Sequence, residues 1–242
     1  MVELFCRKNV RIFFFMKNFP VFMANALASS VILLAGCGGD DEPTPVPNPD
    51  AYAAVDLGLP SGTLWAEYNV GAHRPEEAGQ LFAWAETSAK TDYTWVSYSH
   101  CEGSSDDFTR YCTSAKNGTV DGQREVFADD DAATVQWGAP WRMPTRVEMD
   151  ELRTQCKWTV DTVCGTQGIR VVGRNGNSIF LPATGYRESA ERVGSETSGF
   201  YWTSGLAAND SLAYSLYFFS RPSVESTERF LGKAIRAVRS AE

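Results

Sequence analysis

A chain of 242 residues, 43% hydrophobic and 12% aromatic, can bury a full core, and its 22 basic against 30 acidic side chains leave it at −8. Beyond Cys37 the balance sharpens to 18 basic against 29 acidic residues, or −11. Long-range repulsion from that charge excludes nucleic acid as a partner and opposes adsorption to anionic lipid.

The first 36 residues read as a lipoprotein signal peptide. Basic Arg7, Lys8, Arg11 and Lys17 precede an apolar stretch at 26–35, the layout of a secretory leader, and Met16 offers an alternative start that would give it ordinary length. A spanning helix needs about 20 mostly apolar residues, and Lys17, Asn18, Pro20 and Asn25 interrupt this run. Leu33-Leu34-Ala35-Gly36-Cys37 resembles a bacterial lipobox. The resemblance implies that Cys37 is lipidated and becomes the first mature residue, with the membrane as partner through its acyl chains. Each buried methylene contributes about 0.8 kcal/mol, so two or three chains anchor stably where one is marginal.

Residues 37–50 form an acidic, proline-rich tether. Pro43, Pro45, Pro47 and Pro49 alternate, which favours an extended polyproline spacer of about 3.1 Å per residue. Asp40-Asp41-Glu42 resembles the surface-export signal of Bacteroidota lipoproteins, which implies an outer-membrane protein facing outward. A solvated linker on the periplasmic side is the alternative.

Residues 51–242 are of single-domain size. Val55, Leu57 and Leu59 alternate before Pro60-Ser61-Gly62, predicting a β-hairpin that returns through Leu64-Trp65. Residues 79–87 form a second apolar element, and 93–122 read as a long polar surface loop. Asp129-Asp130-Asp131 places negative charge where a helix begins and Gly138 stands where it stops. Consecutive carboxylates diverge and lack the alternating spacing of a calcium loop, so capping is preferred to metal binding. Thr145 with Glu148 predicts a capping box, followed by Met149, Leu152 and Cys156 at helical spacing. Strands are expected at 178–182, 199–204, 211–219 and 229–239. Along 211–219, Leu212, Tyr214, Leu216 and Phe218 should share the core face, leaving Tyr217 on the other. Two short helices among many strands and long loops predict an α+β domain.

Four cysteines remain in the domain and allow three pairings. Local closure is expected, Cys101 with Cys112 and Cys156 with Cys164, because both intervals are short and polar; each such loop would stabilise by about 2.5–3 kcal/mol. With only His73 and His100 and no paired C-x-x-C, neither a metal nor another cofactor is expected. Catalysis is not expected either. Ser61 and Ser204 lack a motif, the histidines lack an evident acid partner, and Glu148 with Asp150 or Glu151 reads as a solvated helix face.

Several of these segments together resemble the Fibrobacter succinogenes major paralogous domain family of extracellular bacterial lipoproteins. They are Val55 through Trp65, Phe82-Ala83-Trp84-Ala85-Glu86-Thr87, Asp130-Asp131-Ala132-Ala133, Trp141-Arg142-Met143-Pro144-Thr145, Gly176 through Ala183, Gly185-Tyr186-Arg187 and Phe200-Tyr201-Trp202-Thr203-Ser204. The resemblance implies a C-type-lectin-like fold, related to sulfatase-modifying enzymes and to the variable proteins of diversity-generating retroelements. Departures limit what it carries: no cysteine follows Cys164 to serve the sulfatase-modifying chemistry, and no calcium-lectin motif occurs in the domain. Ala85, where the family leads one to expect glycine, and Cys164 are local departures.

The expected function is a lipid-anchored, surface-exposed module that binds an extracellular protein or glycan. A structural subunit of a surface appendage or matrix is the alternative, and an enzyme of the sulfatase-modifying type is less favoured. The face expected to bind runs from Gly185 to Arg229, with Arg187, Tyr201, Tyr217 and Arg221 as its ligand contacts. Phe200 and Trp202 are assigned to the core.

Overall fold

Pro60, Ser61 and Gly62 turn the chain so that β1 (Ala54–Asp56) and β2 (Leu64–Ala66) pair antiparallel, Val55 opposite Trp65, as the alternation predicts. The last strand, β11 (Val238–Arg239), joins the free edge of β2, giving the order β1-β2-β11. This computed structural model describes residues 47–241. The signal segment 1–36, Cys37 and the acidic triplet lie outside the described residues. The residues on either side of the boundary expected at residue 50 are folded. Pro49–Ala51 form one 3₁₀ turn capped by Asn48, and the Pro49 carbonyl accepts the buried Trp141 indole N–H at 2.9 Å. Both bonds satisfy polar groups that an extended spacer would leave to water.

The two short helices form where their caps predict. Asp131 accepts the Ala133 and Thr134 N–H groups at the start of α1 (Ala132–Trp137), its other oxygen takes the Met143 N–H at 2.7 Å, and Gly138 ends the helix at φ +82. That carboxylate is spent on backbone. Thr145 and Glu148 close the capping box of α2 (Arg146–Gln155), which buries Met149 and Leu152. The carboxylates expected to be merely solvated are structural. Glu148 accepts from Arg142 at 2.6 and 2.8 Å and from Thr63, while Glu151 accepts both the N–H and the hydroxyl of Ser61, so the β1–β2 turn is clamped to α2. Burial resists charge on Glu148, but the bonds from Arg142 and Thr145 outweigh it and hold its carboxyl down at about 2.

Most strands pair antiparallel in small sheets, so the molecule is a mixed α+β structure. β3 (Lys157–Val163), β4 (Thr166–Val172) and β5 (Ser178–Pro182) form a meander. Residues 157–163, polar in sequence, are therefore strand; Cys164 and Gly165 reverse the chain at φ +48 and +86, the twist that suits a two-residue hairpin. β6 (Tyr186–Glu188) and β7 (Glu191–Val193) form a small hairpin, and β8 (Gly199–Leu206), β9 (Leu212–Phe218) and β10 (Pro222–Glu228) form a sheet with β10 at its edge. The single strand expected at 229–239 is broken, with only Val238 and Arg239 in a ladder and single bridges from Lys233 to Phe82 and Ala234 to Tyr201. Buried Arg229, Lys233 and Arg236 each reach different partners, which a straight strand would not allow.

Core and loop are continuous. Trp65, Trp84, Trp141 and Trp202 are all fully buried. Residues 93–122 are not the surface loop expected, since Tyr93, Tyr98, Phe108, Tyr111 and Cys112 are at most 1% exposed. The buried Arg229 guanidinium donates to the Tyr98 hydroxyl and to the carbonyls of Arg110, Tyr111 and Asp210, and lies 4.4 Å from the Phe108 ring. Asp210 accepts from Thr113, Ser114 and Asn117. These two charges, not a disulfide, tie the segment. Cys101, Cys112 and Cys156 are thiols in this structure, so neither expected pairing is formed. The Cys101 sulfur turns to the Trp95 carbonyl and the Cys112 sulfur to that of Ser114.

Candidate functional site

Register across the β8–β10 sheet builds a recess. Phe200 of β8, Tyr217 of β9 and Ser223 of β10 stand in one row, and Trp202, Ser215 and Glu225 in the next. Side chains two residues apart share a face, so Phe200, Trp202, Tyr217, Ser215, Ala213, Glu225 and Thr227 lie on the same side. The other side carries Tyr201, Leu216 and Phe218 into the core. Small Ala213 and Ser215 leave space on the first side, and the segment after β10 fills it with Lys233 and Leu231. What remains is a cavity of about 340 Å³ lined by Tyr186, Phe200, Tyr217, Glu225, Thr227, Glu228, Leu231 and Lys233.

Its rings meet as a box. Tyr186 and Phe200 are 4.9 Å apart with planes at 69°, Phe200 and Tyr217 4.9 Å apart at 36°. All three are half-buried, whereas Glu225 and Glu228 are exposed at the rim. Lys233, 1% exposed, closes the floor: its amine donates to Ser215 at 2.8 Å and to Thr227, and lies 4.1 Å from the Trp202 ring centre. Burial lowers that amine to about 7, against the upward pull of Glu228 and Glu225. Tyr186 is raised, first by partial burial and then by Glu188 and Glu228, a sign of negative potential at the mouth.

No family model, curated protein or solved structure matches this chain. The geometry must speak for itself.

Of the four residues expected to contact ligand, only Tyr217 lines the recess. Tyr201 is a correction: it is fully buried, with its hydroxyl donating to the Pro182 carbonyl at 2.6 Å, because it lies on the core side of β8. Arg187 is half-buried, its backbone exchanging bonds with Gly232 and its guanidinium donating to the Ala190 carbonyl. Arg221 is exposed in the β9–β10 turn, away from the lining. Phe200, assigned to the core, lines the recess instead. Glu225, Thr227, Glu228 and Lys233 escaped the sequence reading. A lone lysine inside the apolar run 231–235 was the available signal, since a buried amine demands partners.

A second recess of about 330 Å³ is lined by Glu86, Lys90, Ser97, Ser99, His100 and Asp130. Its groups are already committed. Glu86 pairs with Lys90 at 2.8 Å, Asp130 with Arg110 and Tyr111, and His100 Nε2 lies 2.7 Å from the Ala85 carbonyl. Burial lowers His100 and so disfavours its charged form. Among the described residues, no group of three or more His, Cys, Asp or Glu side chains converges to hold a metal, and no helix is long and apolar enough to cross a membrane.

Proposed function

We propose that this chain is a lipid-anchored, surface-exposed binding module of C-type-lectin-like fold, and that its aromatic recess contacts an extracellular protein or glycan. The recess carries the reading: the half-buried rings of Phe200 and Tyr217 on the β8–β10 sheet and of Tyr186 on the β6–β7 hairpin, with exposed carboxylates at the rim, have the composition of a binding hot spot rather than of a core. The anchor rests on Leu33-Leu34-Ala35-Gly36-Cys37, and the fold on the residues that resemble the paralogous domain family, whose tryptophans Trp65, Trp84, Trp141 and Trp202 make the core. Binding is favoured over catalysis because the two serines weighed as nucleophiles have carboxylate partners and no imidazole: Ser204 donates to Glu125 at 2.6 Å and Ser61 to Glu151.

The test applies the full chain, in non-ionic detergent, to arrays of extracellular proteins and glycans. Retention on a defined ligand should fall about tenfold or more in Tyr217→Ala, the effect of losing a hot-spot tyrosine, with the melting temperature little changed. Retention indifferent to Tyr217→Ala would remove the recess from the reading.

A further inference from the structure

We infer that the recess takes the cationic end of a lysine or arginine side chain from an extended segment of a protein partner. This rests on the recess being the binding site, and adds what it binds. Aromatic faces are electron-rich and attract an organic cation within about 6 Å of the ring centre. Tyr186 and Tyr217 flank Phe200 at 69° and 36°, so the rings are not coplanar and offer no flat platform on which a sugar ring could lie.

The rim supplies the counter-charge. Among the described residues no hydrogen bond or ion pair engages the Glu228 carboxylate, and Glu225 accepts only the Ser223 hydroxyl, at 2.6 Å. Two exposed carboxylates beside a box of rings form an unfilled ion-pair site. One of these rings already faces an amine, because Lys233 lies 5.6 Å from Phe200, with the floor ring of Trp202 at 4.1 Å. Its own charge would oppose a second cation. Burial removes much of that charge above about pH 7, with Glu225 and Glu228 of β10, Tyr217 of β9 and Tyr186 of β6 as the ionisable groups of the lining around it.

The neighbouring edge favours a polypeptide over a free small cation. β10, which contributes Glu225, Thr227 and Glu228, is the outer strand of its sheet, and its open backbone edge can pair with an extended chain. Such pairing would set an anchor side chain beside the recess. The −11 balance beyond Cys37 draws a basic segment toward this surface.

The probe is the extended peptide acetyl-Thr-Val-Arg-Val-Thr-amide, compared with the same peptide carrying neutral, nearly isosteric citrulline in place of arginine. Both are titrated at pH 8 into the full chain in non-ionic detergent by ligand-observed NMR. The arginine peptide should bind at least tenfold more tightly, and Glu228→Gln should cut that advantage severalfold. Tyr217→Ala should weaken both. Equal affinity for the two peptides, or no binding of either at millimolar concentration, would overturn the inference. So would a neutral glycan whose binding depends on Tyr217, although the binding reading itself would then stand. If array retention ignores the recess altogether, the underlying reading fails first.

Discussion

Lys233, buried at the floor of the aromatic recess, couples the stability of the protein to pH. Its amine is lowered by burial from 10.5 to about 7, so between those values the unfolded chain holds a proton that the folded one has given up. Folding is therefore penalised in that window, and the penalty fades as pH rises toward the unfolded value. Unfolding free energy should climb from pH 7 to pH 10, by at most about 1.4 kcal/mol per unit from this group. Lys233→Met should flatten the climb and stabilise the protein at pH 7, since an apolar side chain of similar length suits the Trp202 face. Denaturant melts of both proteins at several pH values check this; an unchanged slope in the variant would assign the climb to another group. Sequence foretold little here. Lys233 stands in an apolar run, but which hydroxyls would meet its amine depends on the register of β9 against β10, which no local pattern encodes.

Elements whose ends carry their own chemistry were legible. The capping box of α2, the Asp131 and Gly138 ends of α1 and the Pro-Ser-Gly return of the first hairpin all follow from side chains bonding backbone within three or four residues. Elements that depend on distant partners were not. β3 carries Lys157, Thr159, Asp161 and Thr162 and resembles a loop because none of its residues is fully buried, while residues 93–122 look polar because Arg229 and Asp210, 93 to 131 residues away from the groups they bond, supply what they need. The β3–β4 turn offers a test at this scale. Cys164 at φ +48 pays the usual cost of a side chain in the left-handed region, and asparagine followed by Gly165 suits that turn better. Cys164→Asn should stabilise by about 0.5–1 kcal/mol, read as a higher denaturant midpoint at constant m. A lower midpoint would mean that contacts of the sulfur matter more than the turn. Ala85, at φ +63 and 3% exposed, is strained in the same sense, which gives a physical reason for the glycine expected at this position.

At the scale of the whole molecule, the anchor and the recess make separate demands. Cys37→Ser should abolish palmitate labelling and release the chain or strand it as an uncleaved precursor, while peptide binding by the purified protein stays as in the wild type; labelling at the wild-type level would end the lipoprotein reading. The mixed α+β class was legible from the count of short strands and capped helices, whereas the sides of the strands were legible only in part: Tyr217 lies off the core as the alternation has it, and Tyr201 does not. Alternation gives the side of a strand, but which side a later segment will cover is decided by the chain as a whole. One consequence follows from β2 lying between β1 and β11, with the buried Arg236 guanidinium donating to the Ala66 and Glu67 carbonyls and to Asn69. A chain delivered residue by residue from its amino end cannot complete this central sheet until residues 236–239 arrive. A nascent chain thus keeps its first hairpin unsealed to the end of synthesis, and a product truncated before Arg236 would meet proteases in that state.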